Sequence, residues 1–216
     1  MINKYYEIRD KCRQGLIKYL SDALKIIPAM EKPEIMDIGC GTGVTTLWLA
    51  ENFDGRITAI DSDIKPLKWL QEKVKVQNLE DRIITINKSF FDFKFADESY
   101  DLIVAEGFLN IVGFQKGFPK IIRLLGTSRF FVIHDEYKDQ RSKCGLIAKH
   151  NCKICDSFML DEHVWWKDYY KQLEEEIYSP ENKNLADFFK SDMHEIESYR
   201  VNPTLFRSIY YIIQKI

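Results

Sequence analysis

The chain has 216 residues, of which 45% are hydrophobic and 30% are charged, as expected for a soluble globular protein built on one large domain. Its 31 Lys and Arg residues against 33 Asp and Glu residues give a formal charge of −2, so a general nucleic-acid-binding surface is not favoured. No apolar run approaches the ~18 residues of a membrane-spanning helix, so a membrane partner is not expected.

Hydrophobic periodicity predicts an N-terminal helix and then alternating strands and helices. The N-terminal helix covers residues 4–27. The following segments are, in order, EIMDIG (strand), VTTLWLAENF (helix), RITAID (strand), IKPLKWLQEKVKVQNL (helix), RIITIN (strand), YDLIVAEG (strand), FQKGFPKIIRLL (helix) and SRFFVIHD (strand). Strands separated by helices indicate an α/β fold with a parallel sheet covered on both faces.

The last third of the chain has a different pattern, with a strand, two helices and a final strand. These are CKICDSFMLD, VWWKDYYKQLEEEI, PENKNLADFFKSDMHEIESYR and FRSIYYIIQK. We therefore predict a single domain over residues 1–216. Residues 1–33 form a helix or lid, 34–135 the cofactor-binding core, and 136–216 the C-terminal strands and a helical substrate cover.

The turn between the first strand and its helix is rich in glycine, with the order Gly39, Cys40, Gly41, Thr42 and Gly43. Such a turn lets a ligand approach the backbone closely, beside the free N–H groups of a helix N-terminus. A tight turn without a ligand is the structural alternative. A dinucleotide site is another alternative, but its G-x-G-x-x-G pattern needs the third glycine one residue later.

Two acidic residues narrow the choice of ligand. Asp37 precedes the turn and would repel a pyrophosphate but attract an ammonium group. Asp61 ends the second strand, where a carboxylate can accept hydrogen bonds from both hydroxyls of a ribose. The pattern therefore indicates a ligand with an adenosine-like half and a cationic, amino-acid-like half.

The segments MDIGCGTGVTTLWLA, ITAIDSD and FADESYDLIVAEG together resemble a class I S-adenosylmethionine-dependent methyltransferase over residues 34–135. The resemblance implies a Rossmann-like, doubly wound sheet of seven strands in the order 3-2-1-4-5-7-6. Its last strand is antiparallel, and an N-terminal helix and a C-terminal helical insertion accompany it. The implied cofactor is S-adenosylmethionine, with Asp37 at its methionine end, the glycine turn beneath it, and Asp61 and Ser62 at its ribose.

The resemblance also places an adenine contact after the third strand, at Ser89 and Phe90. Many family members have an aspartate at the first of these positions. A serine hydroxyl that bonds its own loop is therefore an equal alternative to an adenine contact. The backbone N–H of Phe90 is a second candidate contact.

Strand ends near the cofactor supply the candidate catalytic residues. Glu106 closes the fourth strand and is expected to contact both cofactor and acceptor, and His134 closes the fifth and is a candidate base. For His134 the alternative is a hydrogen-bonded structural histidine. Together with Glu106, the acids Asp135 and Glu136 that follow His134 suggest a cationic or hydroxylated acceptor.

The C-terminal pattern resembles small-molecule methyltransferases, and its aromatic helix carries Trp165, Trp166, Tyr169 and Tyr170. These rings either cover the acceptor or only pack in the core. The predicted function is methyl transfer to a small-molecule N or O nucleophile. Protein or RNA acceptors, or a non-catalytic cofactor-binding module, are the alternatives, and the oligomeric state is not predicted.

The chain contains five cysteines. An odd number without a signal peptide favours reduced thiols in the cytoplasm. Cys144, His150, Cys152 and Cys155 resemble a zinc-binding spacing, but the last two enter a predicted strand and no second Cys-x-x-Cys exists. No metal is therefore expected.

Overall fold

A seven-stranded sheet organises the computed structural model, which describes residues 1–216. The strands are β1 (Glu34–Ile38), β2 (Arg56–Asp61), β3 (Ile83–Asn87), β4 (Tyr100–Glu106), β5 (Leu125–Glu136), β6 (Cys152–Leu160) and β7 (Ser208–Lys215). Their order is β3-β2-β1-β4-β5-β7-β6. Only β7 runs antiparallel to its neighbours, β5 and β6. The predicted fold class and strand order are confirmed.

Ten α-helices surround the sheet. They are α1 (Ile2–Arg13), α2 (Ile17–Leu24), α3 (Val44–Asn52), α4 (Ile64–Val76), α5 (Leu109–Val112), α6 (Phe114–Leu124), α7 (Gln140–Lys149), α8 (Glu162–Trp165), α9 (Lys171–Tyr178) and α10 (Lys190–Val201). None of them is long and apolar enough to cross a membrane.

The predicted N-terminal helix is interrupted by a 3₁₀ turn at Gln14–Leu16, between α1 and α2. The interruption coincides with a close contact of two backbones. A Cβ added to Gly15 would lie 2.1 Å from the carbonyl oxygen of Asp168. Glycine at this position therefore lets the N-terminal segment pack directly on the C-terminal helices.

The C-terminal helices are also less regular than predicted. A π-helical segment, Trp166–Tyr170, joins α8 to α9, and the second predicted helix consists of a 3₁₀ segment, Pro180–Leu185, followed by α10. The sequence analysis missed α7 altogether. Its two buried residues are Lys143 and Ile147, and a lysine at an inward-facing position hides the apolar periodicity.

Two buried clusters cover the two faces of the sheet, so neighbouring strand residues such as Ile35 and Met36 belong to different clusters. A third cluster joins α1 to the C-terminal helices and contains Tyr5, Tyr6 and Phe189. The tyrosines of α1 thus pack on the C-terminal helices rather than on the sheet. The two ends of the chain together form a cover, made of α1, the π-helical segment and α8 to α10.

Candidate active site

A cleft of about 710 Å³ lies between this cover and the carboxyl ends of β1, β4 and β5. Seven of the predicted site residues line it: Asp37, Gly39, Cys40, Gly41, Thr42, Glu106 and His134. The other five do not line it: Gly43, Asp61, Ser62, Ser89 and Phe90. The structure therefore brings the predicted methionine-end and catalytic residues together around one cavity.

The three glycines of the turn all have left-handed backbone conformations, with φ between 52° and 84°. A Cβ at Gly41 would meet no atom within 4 Å, whereas one at Gly43 would lie 2.2 Å from Leu70. Gly41 thus leaves space for a ligand at the cleft floor. Gly43 instead permits close packing of the start of α3 on Leu70 of α4.

Asp37 is buried at the end of β1 and accepts a hydrogen bond from the hydroxyl of Thr46 at 2.6 Å. Burial raises the pKa of Asp37 to about 7, and the charges of Glu106 and Asp61 add to this shift, while the Thr46 bond opposes it. A cation beside Asp37 would favour its ionised form. The site therefore fits a ligand that brings an ammonium group.

Asp61 is fixed to the glycine turn by backbone hydrogen bonds. One carboxylate oxygen accepts from the N–H of Gly41 and the other from the N–H of Asp63, both at 2.8 Å. Each oxygen keeps a free lone pair, so the carboxylate can still accept hydroxyl groups. Next to it, the carbonyl of Ser62 accepts from the side-chain amide of Asn87 at 3.1 Å.

The region after β3 contains an aromatic cluster. The Ser89 hydroxyl accepts from the backbone N–H of Phe91 at 3.2 Å, so it is engaged within its own loop. The ring of Phe90 is buried and lies 5.8 Å from that of Phe108 and 5.9 Å from that of Phe95. Contacts of Ser89 and Phe90 with adenine stay a prediction.

Glu106 lies at the wall of the cleft and accepts hydrogen bonds from two hydroxyls. Thr45 of α3 donates to one carboxylate oxygen, and Tyr210 of β7 donates to the other. Burial and the charge of Glu106 raise the pKa of Tyr210 well above its ordinary value, so its hydroxyl stays protonated. The two hydrogen bonds hold the carboxyl group of Glu106 in one orientation.

His134 lies between Glu106 and Tyr210 in the sheet, as their direct neighbour on either side. Its Nε2 is 2.8 Å from the Ser208 hydroxyl, and its ring stacks on Tyr210 with 4.4 Å between ring centres. Burial lowers the pKa of His134, so the imidazole is neutral at neutral pH. This hydrogen bond and stacking resemble the structural histidine given above as the alternative, and the role of His134 as a base stays a prediction.

Comparison with known proteins identifies a domain in the chain. Residues 35–127, which contain the glycine turn, Asp61 and Glu106, match a family model described as a methyltransferase domain. The chain contains an S-adenosylmethionine-dependent methyltransferase domain. Its cofactor is S-adenosylmethionine, and the turn at Gly41 and the buried carboxyl of Asp37 fit such a ligand.

Relatives of this methyltransferase act on different acceptors, as their names state. A demethylmenaquinone methyltransferase of Porphyromonas gingivalis is 23% identical over 177 residues, which cover 78% of this chain and 71% of the relative. A ribosomal RNA small subunit methyltransferase G of Alteromonas mediterranea is 28% identical over 113 residues, covering 50% of this chain. The chain spans about half the length of that second relative, at 52%.

Solved structures agree on the fold. The crystal structure of a cyclase named SpnF superposes with a TM-score of 0.76 at 13% identity, covering 92% of this chain and 80% of the cyclase. At this identity the likeness concerns the fold alone. The acceptor of this methyltransferase must therefore be inferred from its own site.

The two acidic residues that follow His134 in the sequence both form ion pairs with lysines. Asp135 forms a buried ion pair with Lys143 of α7 at 2.7 Å, and Glu136 pairs with Lys138. Lys143 also donates to the carbonyl of Glu136 at 2.5 Å. Of the three acids that suggested a cationic acceptor, only Glu106 has no basic partner.

The aromatic helix contributes three of its four predicted rings to the cleft, namely those of Trp165, Tyr169 and Tyr170. Trp165 stacks on His134 at 5.9 Å between ring centres. Trp166 instead stacks on Tyr199, on the side away from the cleft lining. The indole N–H of Trp165 and the hydroxyl of Tyr169 are buried without a hydrogen-bond partner.

Three functional candidates were missed by the sequence analysis: Arg13, Thr45 and Tyr210. Thr45 lies in the first turn of α3, directly after the glycine turn, so its position was available as a signal. Arg13 of the first helix lines the cleft, and Tyr210 of the last strand contacts the cleft-lining Glu106 by a hydrogen bond. Their placement depends on strand register and helix docking, which the local sequence does not specify.

Proposed function

We propose that this enzyme transfers the methyl group of S-adenosylmethionine to a small-molecule N or O nucleophile. The observation that carries the proposal is the cleft between the sheet and the N-terminal and C-terminal helices, whose lining includes the aromatic side chains of Trp165, Tyr169 and Tyr170. At the rim, Arg9 pairs with Asp192 at 3.0 Å and Arg207 pairs with Glu162 at 2.6 Å. Cations neutralised in this way give little support for a polyanionic acceptor.

In this proposal the predicted residues hold the cofactor as the family resemblance implies. Asp37 receives the ammonium group, the turn from Gly39 to Gly43 supports the methionine end, and Asp61 with Ser62 holds the ribose. Ser89 and Phe90 border the adenine. The bound cofactor supplies an electrophilic methyl group, and the protein supplies proximity, orientation and exclusion of water.

Glu106 is the proposed catalytic base. Thr45 and Tyr210 orient its carboxylate at the cleft wall. From there it accepts a hydrogen bond, and then the proton, of an acceptor N–H or O–H. His134 acts as a positioning residue, because its neutral ring is stacked on Tyr210 and bonded to Ser208.

Transfer of radioactive methyl tests the proposal. The enzyme is incubated with methyl-tritiated S-adenosylmethionine and a cell extract divided by ultrafiltration into small-molecule and macromolecular fractions. We expect label in the small-molecule fraction only, and loss of that label with Glu106→Gln. Label in protein or RNA would favour the macromolecular alternative, and label in neither fraction would favour a non-catalytic module.

We propose that residues 1–33 and 136–216 form the substrate cover on the core of residues 34–135, within one domain. The five cysteines are free thiols in the structure, in keeping with the cytoplasmic location that we propose.

A further inference from the structure

Two strongly exposed apolar side chains line the active-site cleft. Ile111 of α5 is 81% exposed, and Leu205 of the 3₁₀ segment Pro203–Phe206 is 71% exposed. Away from the chain ends, only Val76 and Val201 expose a large apolar side chain to a similar degree. Apolar surface at the entrance of a cleft is informative, because it stays in water unless a ligand or a partner covers it.

Both side chains adjoin the residues that form the wall around the proposed base. Ile111 lies five positions after Glu106 of β4, and Leu205 lies five positions before Tyr210 of β7. Tyr210 donates a hydrogen bond to Glu106. Only β5 separates β4 from β7, so these two strands lie about 10 Å apart at the usual strand spacing. An acceptor whose nucleophile contacts Glu106 therefore has apolar side chains near both sides of its route to solvent.

The charged residue next to this apolar surface is already neutralised. Arg207 follows the 3₁₀ segment of Leu205 and pairs with Glu162 at 2.6 Å. Phe206 also lines the cleft, and its ring lies 5.3 Å from that of Tyr199. The entrance of the cleft at Leu205 thus offers an apolar contact rather than an ionic one.

We propose that the methyl acceptor is amphipathic. Its N or O nucleophile contacts Glu106, and an apolar portion, an alkyl chain or a hydrocarbon ring, extends toward solvent between Ile111 and Leu205. Contact with this portion removes apolar surface from water on both sides. This inference rests on the proposed function, because the acceptor occupies the same cleft.

The position of the two side chains favours a ligand that continues out of the cleft over other occupants. Both belong to the cleft lining itself. A membrane-binding surface typically adds unpaired basic residues to a broader apolar face, whereas Arg207 at this entrance is paired with Glu162. A vesicle surface and a second copy of the chain are therefore treated as the alternatives in the experiments.

Reversed-phase chromatography of the labelled product tests the chemical class. The enzyme is incubated with methyl-tritiated S-adenosylmethionine and the small-molecule fraction of a cell extract, and the mixture is applied to a C18 column. We expect the new label to elute only at high acetonitrile, after the unreacted cofactor. Label that elutes in water would overturn the amphipathic acceptor.

Serine substitutions test the two side chains. With the extract fraction limiting, Ile111→Ser and Leu205→Ser should each lower the rate of labelling by about three- to tenfold. The rate should recover at higher extract concentrations, and affinity for S-adenosylhomocysteine should stay unchanged. Val76→Ser and Ile84→Ser are the matched controls, because these residues are 81% and 59% exposed and do not line the cleft. Rates equal to the wild type in both cleft variants would overturn the proposal.

A direct binding measurement uses butylamine and octylamine as probes of chain length. Full burial of one methylene group strengthens binding by at most about fourfold, so we expect octylamine to bind the complex with S-adenosylhomocysteine about tenfold or more tightly than butylamine. The double variant Ile111→Ser/Leu205→Ser should reduce this ratio below about threefold. Equal affinity of the two amines for the wild type, or no binding of octylamine, would contradict the proposal.

Folding, the alternatives and the proposed function are checked separately. Thermal unfolding of the serine variants should match the wild type, because the replaced side chains are exposed. If the substitutions abolish dimerisation in sedimentation or binding to phosphatidylcholine vesicles, and leave the amine ratio unchanged, the apolar surface serves that other occupant and the proposal is wrong. Failure of the wild type to bind S-adenosylhomocysteine would instead overturn the proposed function.

Discussion

Tyr210 donates a hydrogen bond to the carboxylate of Glu106, although 104 residues separate them in the sequence. The contact joins the last strand to the end of β4, across His134 of β5. This hydrogen bond can form only when the antiparallel strand β7 has been inserted between β5 and β6. The orientation of the proposed base therefore depends on the completed sheet.

Replacing Glu106 should affect turnover far more than cofactor binding. Glu106→Gln removes the proposed base but keeps the size of the side chain, so we expect turnover to fall by about 10²-fold or more. Affinity for S-adenosylhomocysteine should change by less than about threefold. Glu98→Gln, at an exposed glutamate paired with Lys215, is the control. Unchanged turnover in Glu106→Gln would show that Glu106 is not the catalytic base.

Loss of the Tyr210 hydroxyl should give an intermediate effect. Tyr210→Phe keeps the stack on His134 and deletes only the bond to Glu106, so we expect turnover to fall about tenfold with an unchanged fold. The comparison is made in steady-state kinetics, with circular dichroism as the folding control. A loss as large as that of Glu106→Gln would assign Tyr210 a direct role in the chemistry.

Cofactor binding should depend on pH through Asp37. Its pKa of about 7 in the free protein means that an ammonium ligand must displace a proton at lower pH. Affinity for S-adenosylhomocysteine is therefore expected to rise between about pH 5 and pH 7, by at most about tenfold per unit, and then to level off. In Asp37→Asn the binding should be weak and independent of pH, and a parallel pH dependence in that variant would rule out Asp37 as the cause.

The raised pKa of Asp37 also predicts how the stability of the folded protein changes with pH. The folded-state pKa of Asp37 lies above its ordinary value of 3.8, so the folded state binds the proton more tightly. The protonated carboxyl of Asp37 therefore adds to the free energy of unfolding. This stabilisation is fully present below about pH 4 and is lost as pH rises through about 7. The stability of Asp37→Asn relative to wild type should thus increase over this range, as measured by thermal unfolding without cofactor.

Two alanine substitutions should separate the roles of the turn glycines. Gly43→Ala places a Cβ 2.2 Å from Leu70, and we expect the protein to lose about 1–3 kcal/mol of unfolding free energy. Gly41→Ala meets no protein atom, so it should cost about 1 kcal/mol, from its left-handed backbone, and mainly weaken cofactor binding. Urea unfolding and calorimetry measure the two effects, and equal losses of stability would contradict this division.

The buried pair of Asp135 and Lys143 should contribute strongly to stability. Lys143→Met leaves the carboxylate buried without a cation, and we expect a loss of about 3–5 kcal/mol in urea unfolding. The double variant Asp135→Asn/Lys143→Met should recover part of that loss, since no charge then remains buried. A double variant less stable than Lys143→Met would show that the pair does not act as a unit.

The sequence predicted the regular part of the fold because its signals are local. Glycine spacing, strand alternation and the acids at the strand ends located the turn at Gly41, Asp61 and Glu106. The sequence did not show that Arg13 lines this cleft or that Tyr210 bonds Glu106, because both contacts depend on how distant segments dock. The helix α7 was missed because Lys143, its inward-facing cation, is explained only by its partner Asp135.

The structure of the enzyme with S-adenosylhomocysteine is the most direct test of the proposed site. We expect the amino group beside Asp37, the ribose hydroxyls at Asp61, and the sulfur facing the wall formed by Glu106 and Trp165. A sulfur atom that faces away from Glu106, or a methyl position that opens directly to bulk solvent, would contradict small-molecule methyl transfer in this cleft.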